Sequence, residues 1–334
     1  MQKKVVLTIC SINYLAQAKS LGDSLLEHNP DYDFVIGLVD RLDQSSISKE
    51  QLPAYTLIEL HNIGIPDFED MCNRYNITEL NTAVKPFYLK YLYDQFPEIE
   101  ILHYFDPDII IFQTLAEIEK GLEQNSLFLT PHILSPFPDE STPQERDLLN
   151  TGMYNLGFIG TKRSETTLSF LNWWAERLFE HCYIDLAHGM FVDQNWVNFA
   201  PIYYQDVFVS RHKGLNMAYW NLHERSLNTD GESYQVNQEV PLIFFHFSGY
   251  DPSNSTQISK YQNRFDFVEK GDVASIFDVY AQTLIKNGHN EYKKYPCFYI
   301  KTAPVLPRKK YLRVRKYLSM PFLAIVKWID EVRI

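Results

Sequence analysis

Asp106-Pro107-Asp108 is the sharpest chemical feature of the chain. Two carboxylates at i and i+2 of an extended segment point to one side. An apolar run over 99–105 leads into them, and Ile109-Ile110-Ile111-Phe112 leads out. Acids left unpaired at the end of a buried strand are costly. A divalent cation would neutralise them and bridge to a diphosphate. An isolated Asp-x-Asp is more often a surface turn; the flanking apolar segments favour the metal. His246 closes the run Leu242-Ile243-Phe244-Phe245 and precedes Phe247-Ser248-Gly249. Alone it would read as a satisfied core histidine, but beside a two-carboxylate site it is a candidate third ligand. Two carboxylates and one imidazole favour Mn²⁺ over Mg²⁺. Asp193-Gln194-Asn195 sets a carboxylate beside an amide. At a helix N-terminus the acid would simply gain from the dipole. In a site it would meet sugar hydroxyls and stabilise an oxocarbenium-like centre.

The elements that must position these groups follow from hydrophobic pattern. The sequence predicts a strand over 5–9, a loop over 11–14, and a helix over 15–28 with Leu21, Leu25 and Leu26 on one face. Further strands are expected over 33–40 and 57–60, with a polar connection over 41–53. A helix over 82–95 carries Pro86 in its first turn. A strand over 99–105, an extended segment over 109–112, a helix over 115–124 and a strand over 127–130 follow. This β-α-β-β-α-β-α-β order implies an α/β domain, its mostly parallel central sheet flanked by helices. Such sheets bind ligands at the carboxyl ends of their strands, where Asn13, Asp40 and Asp106 fall. Residues 131–150 are polar and Pro-rich and predict a mobile loop over the site. Beyond them come a strand over 155–160, a helix over 164–182, a helical stretch over 191–198, and strands over 207–209 and 242–247.

Composition narrows the function classes. The chain has 334 residues, 45% of them hydrophobic, with 22 Tyr and 22 Phe. It is neither disordered nor short of core. Cys10, Cys72, Cys182 and Cys297 form no CxxC pair, which argues against a disulfide framework or a cysteine zinc site and fits a reducing compartment. The apolar run over 5–9 is too short for a signal peptide, and no run approaches the length of a membrane-spanning helix. Net charge is −11. Residues 301–334 hold nine Lys/Arg against Asp330 and Glu331, so an acidic body carries a basic tail. That balance argues against nucleic acid. The tail alternates basic and apolar residues around Pro321, as two short helices that either dock on the domain or lie on an anionic membrane surface.

The ordered motifs resemble glycosyltransferase family 8 and its relatives, the retaining GT-A enzymes related to glycogenin and bacterial lipopolysaccharide galactosyltransferases. The resemblance spans residues 5–252. It rests on Thr8-Ile9-Cys10-Ser11-Ile12-Asn13-Tyr14 with Ser24-Leu25-Leu26-Glu27-His28-Asn29-Pro30, on Asp106-Pro107-Asp108, on Asn155-Leu156-Gly157, on Asp193-Gln194-Asn195, and on His246-Phe247-Ser248-Gly249. It implies a GT-A fold, with residues 1–255 as a Rossmann-like nucleotide-sugar-binding catalytic domain and 256–334 as a helical extension ending in the basic tail. Thr8, Cys10, Asn13 and Tyr14 would line the nucleobase and ribose pocket. Asp106, Asp108 and His246 would hold Mn²⁺ (or Mg²⁺) against the diphosphate, and Asn155, Asp193 and Gln194 would surround the donor sugar. Lys85 or Lys90 would take the place of the family's basic residue near the donor. The family follows His-Phe-x-Gly with Lys-Pro-Trp; here Tyr250-Asp251-Pro252 stands instead, leaving Lys260 or Arg264 as substitutes.

The implied function is metal-dependent, retaining transfer of a sugar from a nucleotide-sugar donor, a UDP-hexose or UDP-N-acetylhexosamine, to a glycan or lipid-linked glycan such as a lipopolysaccharide or capsule precursor. The expected setting is the cytoplasm, peripheral at the inner membrane face. Two other readings stay open. One is a catalytically inactive nucleotide-sugar-binding partner of a glycan assembly complex. The other is a sugar nucleotidyltransferase, whose Gly-rich loop with Lys or Arg after the first strand is missing from Ile12-Asn13-Tyr14-Leu15.

Overall fold

Parallel strands covered by helices on both faces lose the polar alternation of a half-exposed strand. The first strand, β1 (Lys3–Cys10), shows this, since every residue from Val5 to Cys10 is buried. In the computed structural model, which describes residues 3–229, 231, 233–254 and 256–300, eight further strands position the site. They are β2 (Tyr32–Leu38), β3 (Thr56–Glu59), β4 (Ile99–Phe105), β5 (Ile109–Ile111), β6 (Leu127–Leu129), β7 (Phe158–Lys162), β8 (Val207–Val209) and β9 (Phe244–His246). Seven of them form one sheet in the order β8-β6-β7-β4-β1-β2-β3. Neighbours run parallel except at β7, which is antiparallel to both β4 and β6. The molecule is thus the mixed α/β structure with a mainly parallel, helix-flanked sheet that the sequence predicts.

Alternation along β1 divides the core. Val5, Leu7 and Ile9 join Tyr88, Leu89 and Leu92 of the helix Lys85–Gln95, and Phe170 and Trp174 of the helix Glu165–His181. Val6 joins Leu21 and Leu25 of the helix Leu15–His28 on the opposite face. A third cluster brings Phe245 and Phe247 against Phe277 and Tyr280 of the helix Ala274–Lys286. Phe247 stacks on Tyr280 with ring centroids 3.9 Å apart.

Short β5 leaves the main sheet. It pairs antiparallel with β9, setting Phe244 opposite Ile111, Phe245 opposite Ile110 and His246 opposite Ile109. Phe158 ties this pair to the main sheet. Its ring lies 4.8 Å from that of Phe105, 5.2 Å from Phe244 and 5.9 Å from Phe128.

Three local expectations change. The helix expected over 82–95 is two, Ile77–Ala83 and Lys85–Gln95. Pro86 has no N–H to donate back into a preceding turn, so it serves a new helix start. The stretch over 131–150 is not all loop, because Glu145–Thr151 is helical behind a capping box in which the Gln144 N–H donates to Asp147 Oδ2 at 2.9 Å. The helix over 191–198 shrinks to Gln194–Val197 after a short strand Met190–Phe191, because Val192 takes a left-handed φ of 42°. Among the described residues no helix is long and apolar enough to cross a membrane. Among the described residues Cys10, Cys72, Cys182 and Cys297 form no disulfide. The basic tail, residues 301–334, with its expected helices and membrane contact, lies outside the described residues.

Phe158 is fully buried where three strands meet, so Phe158→Ala should cost about 3–5 kcal/mol of unfolding free energy. Urea denaturation followed by circular dichroism measures it. A loss below about 1 kcal/mol would show that this ring does not tie β9 to the sheet.

Candidate active site

The chain leaves β4 at Phe105 and turns through Asp106-Pro107-Asp108 before entering β5. Backbone bonds fix the turn from two sides. The Asp106 N–H donates to the Gly157 carbonyl at 2.7 Å, and the Phe247 N–H donates to the Asp108 carbonyl at 2.9 Å. The β5–β9 register then delivers His246. Its Nε2 lies 3.1 Å from Asp108 Oδ1 and 3.8 Å from Asp106 Oδ2. One ligand atom from each of the three residues falls within 4.8 Å of the others. The imidazole Nδ1–H donates to Asn155 Oδ1 at 3.2 Å, which turns Nε2 toward the carboxylates as a metal ligand requires. Oxygen, oxygen and imidazole nitrogen form a donor set that fits Mn²⁺.

Gly157 makes room for this ring. A Cβ there would lie 2.3 Å from His246 Cε1, inside contact distance. Electrostatics bind the three ligands together. Burial of His246 favours the neutral ring, but Asp108, and less strongly Asp106, outweigh it and raise its pKa above the usual histidine value. Burial of Asp108 works the other way and is also outweighed, so His246 holds that carboxyl below its ordinary range.

A second charged group sits beside the first. Lys85 is buried, with Nζ 2.9 Å from Asp193 Oδ2 and 3.4 Å from Asp106 Oδ1. It also donates to the Leu156 carbonyl at 2.8 Å and lies 4.5 Å from the centre of the Tyr104 ring. Burial disfavours its charge, but Asp106 and Asp193 prevail and raise its pKa. Tyr104 in turn donates its hydroxyl to Asp106 Oδ1 at 2.5 Å. Asp193 is 1% exposed. Burial pushes its carboxyl up to about 6 against the opposing pull of Lys85. The left-handed Val192 just before it is a β-branched residue in a conformation such residues avoid, a strain of order 1–3 kcal/mol. The strained turn carries Asp193 inward to Lys85.

These groups face one cavity of 760 Å³ at the carboxyl ends of β1 and β4. Its wall includes Cys10, Asn13, Tyr14, Lys85, Asp106, Asp108, Asn155, Asp193, Gln194 and His246, so most of the sequence-predicted site residues converge. The others do not reach it. Thr8 is buried inside β1, one residue short of the wall. Lys90 is on the outside of its helix, bonded to Asn172. Lys260 is exposed, with Nζ over the Tyr261 ring, and does not replace the missing lysine on the wall. Arg264 is buried and engaged by the loop over the cavity. It bonds Asp139 at 3.0 Å and the carbonyls of Ser141 and Pro143 at 2.7 Å each, and stacks 4.2 Å from the Phe137 ring. Arg264 therefore anchors the loop whose Thr142 and Pro143 line the cavity. Asp40 is likewise structural. It accepts the Ile12 N–H at 3.1 Å and the Phe298 N–H at 2.8 Å, holding the loop after β1.

Sequence reasoning missed Tyr104, His132 and Tyr261 on the wall, where they join Tyr219 and Trp220, with Asn216 buried behind. Tyr104 alone carried a signal, since it lies two residues before Asp106 on the same side of the strand.

No family model matches the sequence. The chain is 24% identical over 279 residues to "Uncharacterized protein YfnF" of Bacillus subtilis (strain 168), covering 83% of this chain and 90% of that protein. It is 26% identical over 246 residues to "Uncharacterized protein YfnD" of the same strain, covering 73% and 76%. Among solved structures it is similar to galactosyltransferase LgtC in complex with donor and acceptor sugar analogues, with a TM-score of 0.49, 14% identity, and coverage of 84% of this chain and 95% of that one. It is also similar to the bifunctional glycosyltransferase WbbM, with a TM-score of 0.47 at 16% identity over 86% of this chain and 49% of that one. At such distances the likeness assigns no activity, which rests on the side chains.

Two outcomes test the metal centre. His246 must shed a proton to ligate, and its pKa is raised, so Mn²⁺ affinity should fall as pH drops through that ionisation and level off above it. Calorimetry in buffers of different ionisation enthalpy should show proton release at neutral pH; a flat profile would remove His246 from the ligand set. Gly157→Ala should displace the ring and weaken Mn²⁺ binding by at least roughly ten-fold without unfolding the protein. Wild-type affinity in that variant would mean the ring is not a ligand.

Proposed function

We propose that this chain is a glycosyltransferase of GT-A type. It moves a sugar from a nucleoside-diphosphate sugar, expected to be UDP-linked, to a hydroxyl of a glycan or lipid-linked glycan, with metal dependence and with retention at C1. The observation that carries this reading is the convergence of Asp106, Asp108 and His246 beside the Lys85–Asp193 pair in one cavity at the carboxyl end of a mainly parallel sheet. When bound, a divalent cation held by these three residues supplies Lewis-acid neutralisation of the leaving diphosphate. Charge supports that dependence. Among the described residues the wall carries Lys85 as its one lysine or arginine, against Asp106, Asp108, Asp147 and Asp193. A diphosphate entering without a cation would meet net negative charge.

The other residues divide the work. Cys10, Asn13 and Tyr14, at the end of β1, are placed for the nucleoside. Asp193 stands where positive charge develops as the C1–oxygen bond to the diphosphate breaks, and Lys85 holds it in place. Its near-complete burial and its ion pair suit electrostatic stabilisation better than nucleophilic attack. The acceptor hydroxyl then attacks C1 on the face the diphosphate leaves, and the departing phosphate oxygen takes its proton. Retention follows without a covalent intermediate.

Thermal unfolding with UDP-, GDP-, dTDP- and CMP-sugars tests the reading, with and without Mn²⁺, on wild type and Asp108→Ala. Ligand at 100 times its dissociation constant adds about 2.7 kcal/mol of stability. The expected result is a Mn²⁺-dependent rise with one nucleotide class, lost in Asp108→Ala. No rise with any nucleotide would overturn the proposal.

A further inference from the structure

The amides on the cavity wall have little to offer a sugar. Asn155 Nδ2 donates to Gln194 Oε1 at 3.2 Å and to His132 Nε2 at 3.3 Å, which uses both its N–H groups. Gln194 Oε1 also accepts the Leu156 N–H at 3.1 Å, and Gln194 Nε2 donates to the Thr151 carbonyl at 3.0 Å. Recognition of a second substrate falls to another part of the wall. On the Asp106 side of the metal set stands the Lys85–Asp193 pair. On the His246 side the wall carries Tyr219, Ser248, Tyr261, Thr142 and Pro143, none of them charged. Contacts place them there. Trp220 meets the His246 ring edge-on at 5.2 Å and the Tyr219 ring at 5.0 Å, and Tyr219 lies 6.3 Å from Tyr261. The Thr142 N–H donates to Asn263 Oδ1, just past Tyr261 in the chain, at 2.7 Å.

Tyr261 is built as a platform. Lys260 Nζ lies 4.9 Å from its ring centre, and Lys260 is absent from the cavity wall, so the ammonium covers the face turned away from the cavity. The ring edge rests on Gly249, where a Cβ would lie 2.6 Å from Cδ2. Backbone bonds hold the segment, the Lys260 N–H donating to the Gly249 carbonyl at 3.1 Å and the Tyr261 N–H to Ser259 Oγ at 3.2 Å. Tyr219 stands beside it, inclined by 40°, and the two rings make a notch. An aromatic face is electron-rich and attracts polarised C–H bonds. A pyranose presents C–H bonds on one face and hydroxyls round its edge, so it would meet the rings and the Thr142 and Ser248 hydroxyls together. An anionic group would find no partner in the notch. Among the described residues Lys85 is the wall's one lysine or arginine, and Asp193 and Asp106 claim it.

We propose that Tyr261 and Tyr219 form the acceptor subsite, and that the acceptor presents there an uncharged pyranose ring stacked by its C–H face on Tyr261. The proposal rests on the glycosyl-transfer reading above. The position fits that reaction, in which the acceptor attacks from the side of the departing diphosphate. The metal set that receives the diphosphate borders the notch through His246 and Trp220. Cys10, Asn13 and Tyr14 leave the nucleoside its own place at the end of β1. The two tyrosines select the acceptor and take no part in bond breaking.

Saturation-transfer difference NMR on the full chain tests this, with Mg²⁺ and UDP present and the methyl pyranosides of glucose, galactose, mannose and N-acetylglucosamine as probes. At least one pyranoside should receive saturation, strongest on the C–H protons of a single ring face. Tyr261→Ala should lower that saturation by about five-fold or more, and Tyr219→Ala by about two-fold. Tyr261→Phe keeps the ring and should retain the signal. Tyr261 is 51% exposed, so its truncation opens no core cavity. Calorimetry should find the affinity of Tyr261→Ala for UDP with Mg²⁺ within about two-fold of wild type. The subsite is overturned if no pyranoside receives saturation from wild type, or if saturation persists unchanged in Tyr261→Ala. It is equally overturned if Tyr261→Ala weakens UDP by about ten-fold, which would give the ring to the nucleobase. Failure of UDP to bind wild type would sink the donor reading instead, and the pyranoside spectra would still decide the notch.

Discussion

A three-residue antiparallel pairing, β5 with β9, is the contact on which the rest of the site depends. β5 starts directly after Asp108, and His246 is the last residue of β9, so the register that sets His246 opposite Ile109 also closes the ligand set. Two short strands pair only marginally on their own. Here the alternation of side chains supplies what the hydrogen bonds cannot. Phe244, on the same side of β9 as His246, packs between Phe105 and Phe158 under the main sheet. Phe245 and Phe247 face the other way, onto Phe277. The aromatic core thus holds the register, and the register holds the imidazole.

The second constraint is charge. A buried lysine–carboxylate pair loses much of its attraction to desolvation, and apolar residues of similar volume commonly match or exceed its stability. Lys85 is nonetheless almost fully surrounded by Asp193, Asp106, the Leu156 carbonyl and the Tyr104 ring. Its ammonium neutralises Asp193 and part of Asp106, leaving Asp108 to His246. The two charged groups are therefore one system, joined through Asp106, in which Asp106 and Asp108 are partly exposed to the cavity while Lys85, Asp193 and His246 are buried. That polarity suits a site that receives a further cation together with an anionic ligand.

Features contiguous in sequence were legible. Asp106 and Asp108 announced themselves through spacing and apolar flanks, and His246 through its place at the end of an apolar run. β1 and β2 read directly because double-sided burial makes an uninterrupted apolar stretch. Other features were hidden for physical reasons. An extended apolar segment looks the same whether it continues a sheet or leaves it, so the departure of β5 had no signature. Val192 broke the expected helix by a left-handed turn that its residue type disfavours, and His132 bonds partners remote in the chain, the Met153 carbonyl and Asn155. Arg264 misled for the opposite reason. It follows the His246 motif closely in sequence, yet Asp139 and two loop carbonyls claim it from a different segment.

The wall itself divides into two kinds of surface. Asn155 and Gln194 are committed internally, so the amides give shape, and the groups facing outward with capacity to spare are the carboxylates of Asp106 and Asp108. At the mouth the surface changes to aromatic rings, with Tyr14 46% and Tyr261 51% exposed and Tyr219 beside Tyr261. Gly249 makes that rim possible. Its φ is 73°, and a Cβ there would lie 2.6 Å from the Tyr261 ring and 2.5 Å from Ser259 Oγ. The segment that lacks the expected lysine after His246 therefore brings an aromatic face to the position next to the motif. A ligand with one anionic end and one ring-bearing end would match both surfaces at once, the anion toward a cation held by the carboxylate–imidazole set and the ring toward the tyrosines.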